Sequence, residues 1–185
     1  MKDTARVIVT YDCPRSCPNC CNEHIGNVPA VNFEDLLKYK ELVITGGEPM
    51  MIGARVVEMI HRIRQSGYAG KIWLYTAELN VQRWADKMVL QEVDGITYTF
   101  HYEYSQRDIT LLKRLTGHIK ELNKTGGLNS RSFRLLIDRR LEKEIDWKDI
   151  KIPGVWDEVR LLKWKDDECP LPDNEELIYY DLERE

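Results

Sequence analysis

The sequence lacks a long apolar run, a marked excess of either charge and an apolar leader segment. Its hydrophobic stretches cover only a few residues, far fewer than the roughly 20 that a helix needs to cross a bilayer. The first residues lead into a strand-like run without the apolar region of a secretion signal. The net charge of −4 provides no general basic surface for nucleic acid. These absences predict a cytoplasmic protein that partners neither a membrane nor a nucleic acid.

Length and composition indicate one globular domain. The chain has 185 residues, of which 43% are hydrophobic and 31% are charged, and such values are typical of a folded protein with its own core. We therefore expect residues 1–185 to form a single core domain. The acidic, proline-bearing residues at about 166–185 are expected to extend over its surface as a tail.

Short apolar runs alternate with amphipathic segments along the chain. Most of the runs are continuously apolar, which is typical of strands buried on both faces of a parallel sheet. The amphipathic segments between them repeat apolar residues every three or four positions, which is typical of helices. Asn32 with Asp35 offers a cap for a short helix at 33–40. This order predicts an α/β fold, either an open partial (β/α)6 barrel with parallel strands or a doubly wound sheet. The predicted strands are Ala5–Thr10, Leu42–Thr45, Ile72–Thr76, Ile96–Phe100, Ser132–Ile137 and Glu158–Lys163.

Four of the five cysteines lie between positions 13 and 21. Cys13, Cys17 and Cys20 follow the first strand with the spacing C-x3-C-x2-C, and the fifth cysteine stands alone. An odd number of cysteines concentrated in one loop does not suit a disulfide framework. Three thiolates on one loop can hold three irons of a cubane and leave the fourth iron without a protein ligand. A structural zinc ion is the alternative, with Cys21 or His24 as its fourth ligand.

The second predicted strand runs directly into Gly46-Gly47-Glu48-Pro49. Two glycines let the backbone approach a ligand closely, and a carboxylate beside them suits a cationic amino group. The same four residues would also make a plain strand-to-helix connector, because proline suits the first turn of a helix. In either case they lie at the carboxyl end of a strand, where ligands bind in folds of this class.

Taken together, the cysteine loop and the glycine turn resemble the signature of the radical S-adenosylmethionine (SAM) superfamily, clearly over residues 5–80 and more weakly beyond. The resemblance implies a [4Fe–4S] cluster on Cys13, Cys17 and Cys20, with SAM bound to the open iron. Reductive cleavage of SAM would then give a 5′-deoxyadenosyl radical that abstracts a substrate hydrogen. Many members carry an aromatic residue where this chain has Asn19. The cofactor-binding residues that the resemblance implies are Asn19, Thr45, Gly46, Gly47, Glu48, Thr76 and His101.

The resemblance leaves the substrate open. A small molecule or a peptide is one possibility, and the added length resembles the six-unit barrel of compact deazaguanine-forming synthases. The stretch 71–77 instead resembles small activating enzymes that install a glycyl radical on a partner protein. In both cases we expect an external electron donor of flavodoxin or ferredoxin type. A non-catalytic zinc or interaction protein on the same scaffold is the third hypothesis.

Overall fold

Seven parallel strands form one open sheet. The computed structural model describes residues 2–18, 20–124, 131–163 and 171–183. The strand order is β6-β5-β4-β3-β2-β1-β7, and every neighbouring pair runs parallel. This sheet confirms the predicted α/β class and the open partial barrel. The strands are β1 (Thr4–Ile8), β2 (Glu41–Thr45), β3 (Lys71–Thr76), β4 (Gly95–Phe100), β5 (Ser132–Asp138), β6 (Glu158–Leu162) and β7 (Glu175–Tyr179).

Helices follow most strands, as crossover connections between parallel strands require. The longest of them, α5, begins after Ser105, whose backbone N–H and hydroxyl both donate to the Asp108 carboxylate. No helix in the described ranges is long and apolar enough to cross a membrane. The α-helices are α1 (Cys21–His24), α2 (Phe33–Leu36), α3 (Gly53–Gln65), α4 (Trp84–Glu92) and α5 (Gln106–Lys124), with 3-10 turns at Pro49–Ile52 and Arg139–Leu141.

The two faces of the sheet differ in polarity. Side chains alternate along each strand, so Val7, Ile44 and Leu74 point to one face, where they are fully buried in the core. The positions between them carry Arg6 and Tyr75, among other polar and aromatic residues. We call this second surface the polar face. The polar face extends along the strands as far as their carboxyl ends.

Two predicted elements differ from the structure. The prediction of a surface tail is wrong for Glu175–Tyr179, because these residues form β7 and pair with β1 along its whole length. The short helix begins as predicted, with the Asp35 carboxylate accepting the Asn32 backbone N–H at 3.1 Å. It already ends at Leu36, since the chain turns there into β2. The start of the predicted tail, including Cys169, lies outside the described residues.

Candidate active site

The glycine turn after β2 packs directly on the cysteine loop after β1. Gly47 donates its N–H to the carbonyl of Thr10 at 2.7 Å, and Glu48 donates its N–H to the carbonyl of Asp12 at 2.8 Å. Gly46 has a φ of +129°, a conformation that residues with a Cβ rarely adopt. A Cβ at Gly47 would lie 2.1 Å from the Asp12 carbonyl oxygen. The two sequence motifs therefore form one unit that only glycine permits.

Gly47→Ala is accordingly expected to lower the free energy of unfolding by about 1–3 kcal/mol, because the added methyl forces the two loops apart. Bound iron should fall with it, since the cysteine loop loses its support. Gly117→Ala is the matched control: Gly117 lies in α5, and a Cβ there meets nothing within 4 Å. Urea unfolding and iron analysis of both variants test this. A Gly47→Ala protein with the wild-type midpoint would contradict it.

The Glu48 side chain is buried, with 2% of its surface exposed. Its carboxylate accepts three hydrogen bonds, from the Thr76 hydroxyl at 2.6 Å, from the Ala77 N–H at 2.8 Å and from the Met50 N–H at 3.0 Å. Burial raises the pKa of Glu48, and these three donors oppose the rise. Glu48 thus joins the end of β2 to the end of β3. The resemblance to the radical SAM superfamily implies a contact between Glu48 and the amino group of SAM, and that contact stays a prediction.

Cys13, Cys17 and Cys20 are free thiols at the rim of one cavity of about 270 Å³. Partial burial raises the pKa of Cys13, and burial together with the negative charge of Glu103 raises the pKa of Cys17 to about 11. Both thiols therefore hold their protons at neutral pH until a metal displaces them. Among the described residues, no three His, Cys, Asp or Glu side chains are grouped so as to hold one metal ion. A cubane instead binds each thiolate at a different iron, as a loop with spaced thiols allows.

The side chain of Arg15 anchors the cysteine loop to three other parts of the protein. Its guanidinium donates to the Ala77 carbonyl at 3.1 Å, to the Glu103 carbonyl at 3.3 Å and to the Asp108 carboxylate at 2.7 Å. The Arg15–Asp108 ion pair is well shielded, with 12% and 14% of the two side chains exposed. Arg15 thereby ties the loop to the ends of β3 and β4 and to α5. No local sequence pattern points to Arg15, because its partners lie 62 to 93 residues away in the chain.

The structure gathers the sequence-predicted site residues around this cavity. Asn19 is the exception, since it lies outside the described residues. His101, after β4, is largely buried, and burial together with the charge of Arg15 lowers its pKa to about 4. It therefore presents a neutral imidazole at pH 7. The predicted residues that line the cavity are Cys13, Cys17, Cys20, Thr45, Gly46, Gly47, Glu48, Thr76 and His101.

A tetrahedral zinc site would need a fourth ligand in addition to the three free cysteines. Cys21 is bonded in a disulfide and so offers no thiolate. The other proposed fourth ligand was His24, whose side chain is not among those described. The structure therefore presents three thiols and no described fourth ligand for a tetrahedral zinc site.

Comparisons with known proteins agree with this arrangement. The fold is similar to that in a crystal structure of BtrN in complex with AdoMet and 2-DOIA, with a TM-score of 0.50 and 14% sequence identity. The match covers 73% of this chain and 56% of the BtrN chain, so the chain spans little more than half of that protein. No curated protein matches the sequence significantly. The family model of the 4Fe-4S single cluster domain matches residues 4–118, more than half of the chain, and the chain therefore belongs to this 4Fe-4S single cluster family.

Proposed function

We propose that this protein is a radical SAM enzyme. The observation that carries the proposal is the docking of the glycine turn onto the cysteine loop, with three free thiols at the rim of a shared cavity. When bound, a [4Fe–4S] cluster supplies the electron that cleaves SAM to methionine and a 5′-deoxyadenosyl radical, which abstracts a hydrogen atom from the substrate. The BtrN structure contains AdoMet in a similar fold, which supports SAM as the second ligand.

The residues of the site fit a cluster with one open iron. Cys13, Cys17 and Cys20 are free thiols that line one cavity and would supply three thiolates to such a cluster. Thiolates are the usual protein ligands of such clusters. The disulfide at Cys21 removes the nearest further thiol of the same loop. One iron is thus left to a small-molecule ligand that offers an amino and a carboxylate group.

The chain itself orients and shields the reactants. The backbone of Gly46 and Gly47 packs directly on the cysteine loop, because a Cβ at either residue would collide with the carbonyl of Thr10 or of Asp12. Glu48 holds this turn in place through its three hydrogen bonds. His101 follows β4, two strands along the sheet from the glycine turn after β2, and it places an uncharged imidazole at the cavity.

Anaerobic reconstitution with iron and sulfide tests the proposal. The protein should bind about four irons, and after reduction with dithionite in the presence of SAM it should release 5′-deoxyadenosine. A matched sample without reductant should release none, because cleavage requires the electron. A colourless protein with one zinc and no product would overturn the proposal in favour of a structural metal site.

An electron donor of flavodoxin or ferredoxin type and a glycyl-radical protein as substrate both stay predictions.

A further inference from the structure

Arg6 is a charged strand residue that lines the cavity below the proposed cofactor site, on the polar face of the sheet. Arg6 lies in β1 opposite Val43 of β2, two residues before the position where Ile8 pairs with Thr45. It therefore sits about 7 Å deeper along the sheet than Thr45, the last residue before the glycine turn. Arg6 lines the same cavity of about 270 Å³ as the three cysteines.

The guanidinium of Arg6 is held in a defined orientation. Its Nε donates to the Glu175 carboxylate of β7, and its carbon lies 5.6 Å from the centre of the Tyr75 ring of β3. The two partners of the ion pair are 27% and 17% exposed, so both are shielded from bulk water. The attraction between a cation and an aromatic ring is stronger when both are shielded from water. Strands on both sides of β1 thus fix the position of this side chain.

The outer edge of the same guanidinium is free to bind a ligand. Within the part of the chain that the structure describes, its two terminal nitrogens make no hydrogen bond, although the side chain is partly exposed at the cavity. A planar guanidinium fork matches the two oxygens of a carboxylate or phosphate, and such paired bonds are among the strongest in proteins. A ladder of five paired residues already joins β7 to β1. If Arg6 served only to join these two strands, its side chain would not need to line a cavity.

We propose that Arg6 binds an anionic group of the substrate, so that the enzyme acts on a small molecule carrying a carboxylate or phosphate. This rests on the proposed function, since it takes the cavity as the place of reaction. The substrate's anionic group would lie at the level of Arg6, and its reacting carbon would lie above, toward the glycine turn. Leu177 and Ile8 line the cavity beside Arg6 and give the rest of the molecule an apolar wall.

Arg134 provides a matched control on the same face. Its guanidinium also lies over an aromatic ring of β3, 5.1 Å from the centre of the Trp73 ring. It does not line the cavity among the described residues. Arg134→Gln therefore makes the same chemical change as Arg6→Gln, on the same polar face, outside the proposed binding site.

Saturation-transfer NMR with the reconstituted, SAM-bound protein tests the inference. Succinate should receive saturation from the wild-type protein and from Arg134→Gln, and at least fivefold less from Arg6→Gln. Neutral succinamide should receive none, because it lacks the charge. Competition by inorganic phosphate would assign the site to phosphate as well, and its absence would restrict the site to carboxylates. Arg6→Lys keeps the charge but loses the planar guanidinium fork, so it should give an intermediate signal. This variant also tests the inference if Arg6→Gln does not fold.

Equal transfer from wild type and Arg6→Gln would overturn the inference, as would an equal loss in Arg134→Gln. So would a matching fivefold rise in the SAM dissociation constant of Arg6→Gln, because Arg6 would then belong to the cofactor site. The binding measurement does not require SAM cleavage. A protein that binds succinate through Arg6 but never forms 5′-deoxyadenosine would refute the proposed function and not the anion site itself.

Discussion

Cys17→Ala is expected to lose the bound cluster and all SAM cleavage together, and Cys13→Ala and Cys20→Ala should behave alike. Each thiolate would hold a different iron of the proposed cluster, and no described Cys, His, Asp or Glu is grouped with the remaining two to replace it. Iron should fall from about four atoms per chain to near zero, and 5′-deoxyadenosine should fall by at least a factor of 10³, on the order of 4 kcal/mol in the barrier. Iron analysis, visible absorption and product assay measure the three effects.

Cys21→Ala is the matched control for this series. It makes the same change in the same loop, but Cys21 is in a disulfide and contributes no free thiol. The variant should keep about four irons and its SAM cleavage. Full iron and full cleavage in Cys17→Ala would refute the ligand assignment. Loss of iron in Cys21→Ala as complete as in Cys17→Ala would show that the loop, rather than its three ligands, had been disrupted.

Arg15→Met should have the second-largest effect, on both stability and cluster occupancy. The change leaves the shielded Asp108 carboxylate without its cation and the carbonyls of Ala77 and Glu103 without a donor. Breaking one side of a buried ion pair costs about 3–5 kcal/mol, and the 12–14% exposure of this pair places it near the lower end. Urea unfolding of the reduced protein should show this loss, and reconstitution should give less than half of the wild-type iron.

A double-mutant cycle with Asp108→Asn separates the ion pair from the two carbonyl contacts. If the pair dominates, the double variant should be little less stable than Arg15→Met alone. Arg160→Met is the control, because Arg160 is 59% exposed and its ion pair with Glu158 spans 3.7 Å. Exposed pairs contribute about 0–1 kcal/mol, so this variant should unfold close to wild type. Equal losses from the two arginine variants would refute the anchoring role of Arg15.

Local sequence patterns were sufficient to predict most of the fold. Continuous apolar runs such as Leu42–Thr45 carry their own signal of a buried strand, and the structure confirms a strand at each of the six predicted places. The missed strand, β7, begins with Glu175 and Glu176 and has no such run. It forms because β1 offers an unpaired edge to a segment about 170 residues later in the chain. An edge of this kind is a property of the assembled sheet, and no window of sequence contains it.

The features of the candidate site likewise fall into two groups, those that local sequence reveals and those that depend on folding. The cysteine spacing and the glycine turn can be recognised in the sequence alone, because both are local and their chemistry depends on residue type and order. Folding alone brings the two motifs into shared backbone hydrogen bonds, places the Glu48 carboxylate where it accepts a hydrogen bond from the end of β3, and lets Arg15 reach α5. It likewise placed Arg6 at the cavity through partners from β3 and β7. An arginine is usually solvated, and what it binds depends on neighbours that folding brings from distant parts of the chain.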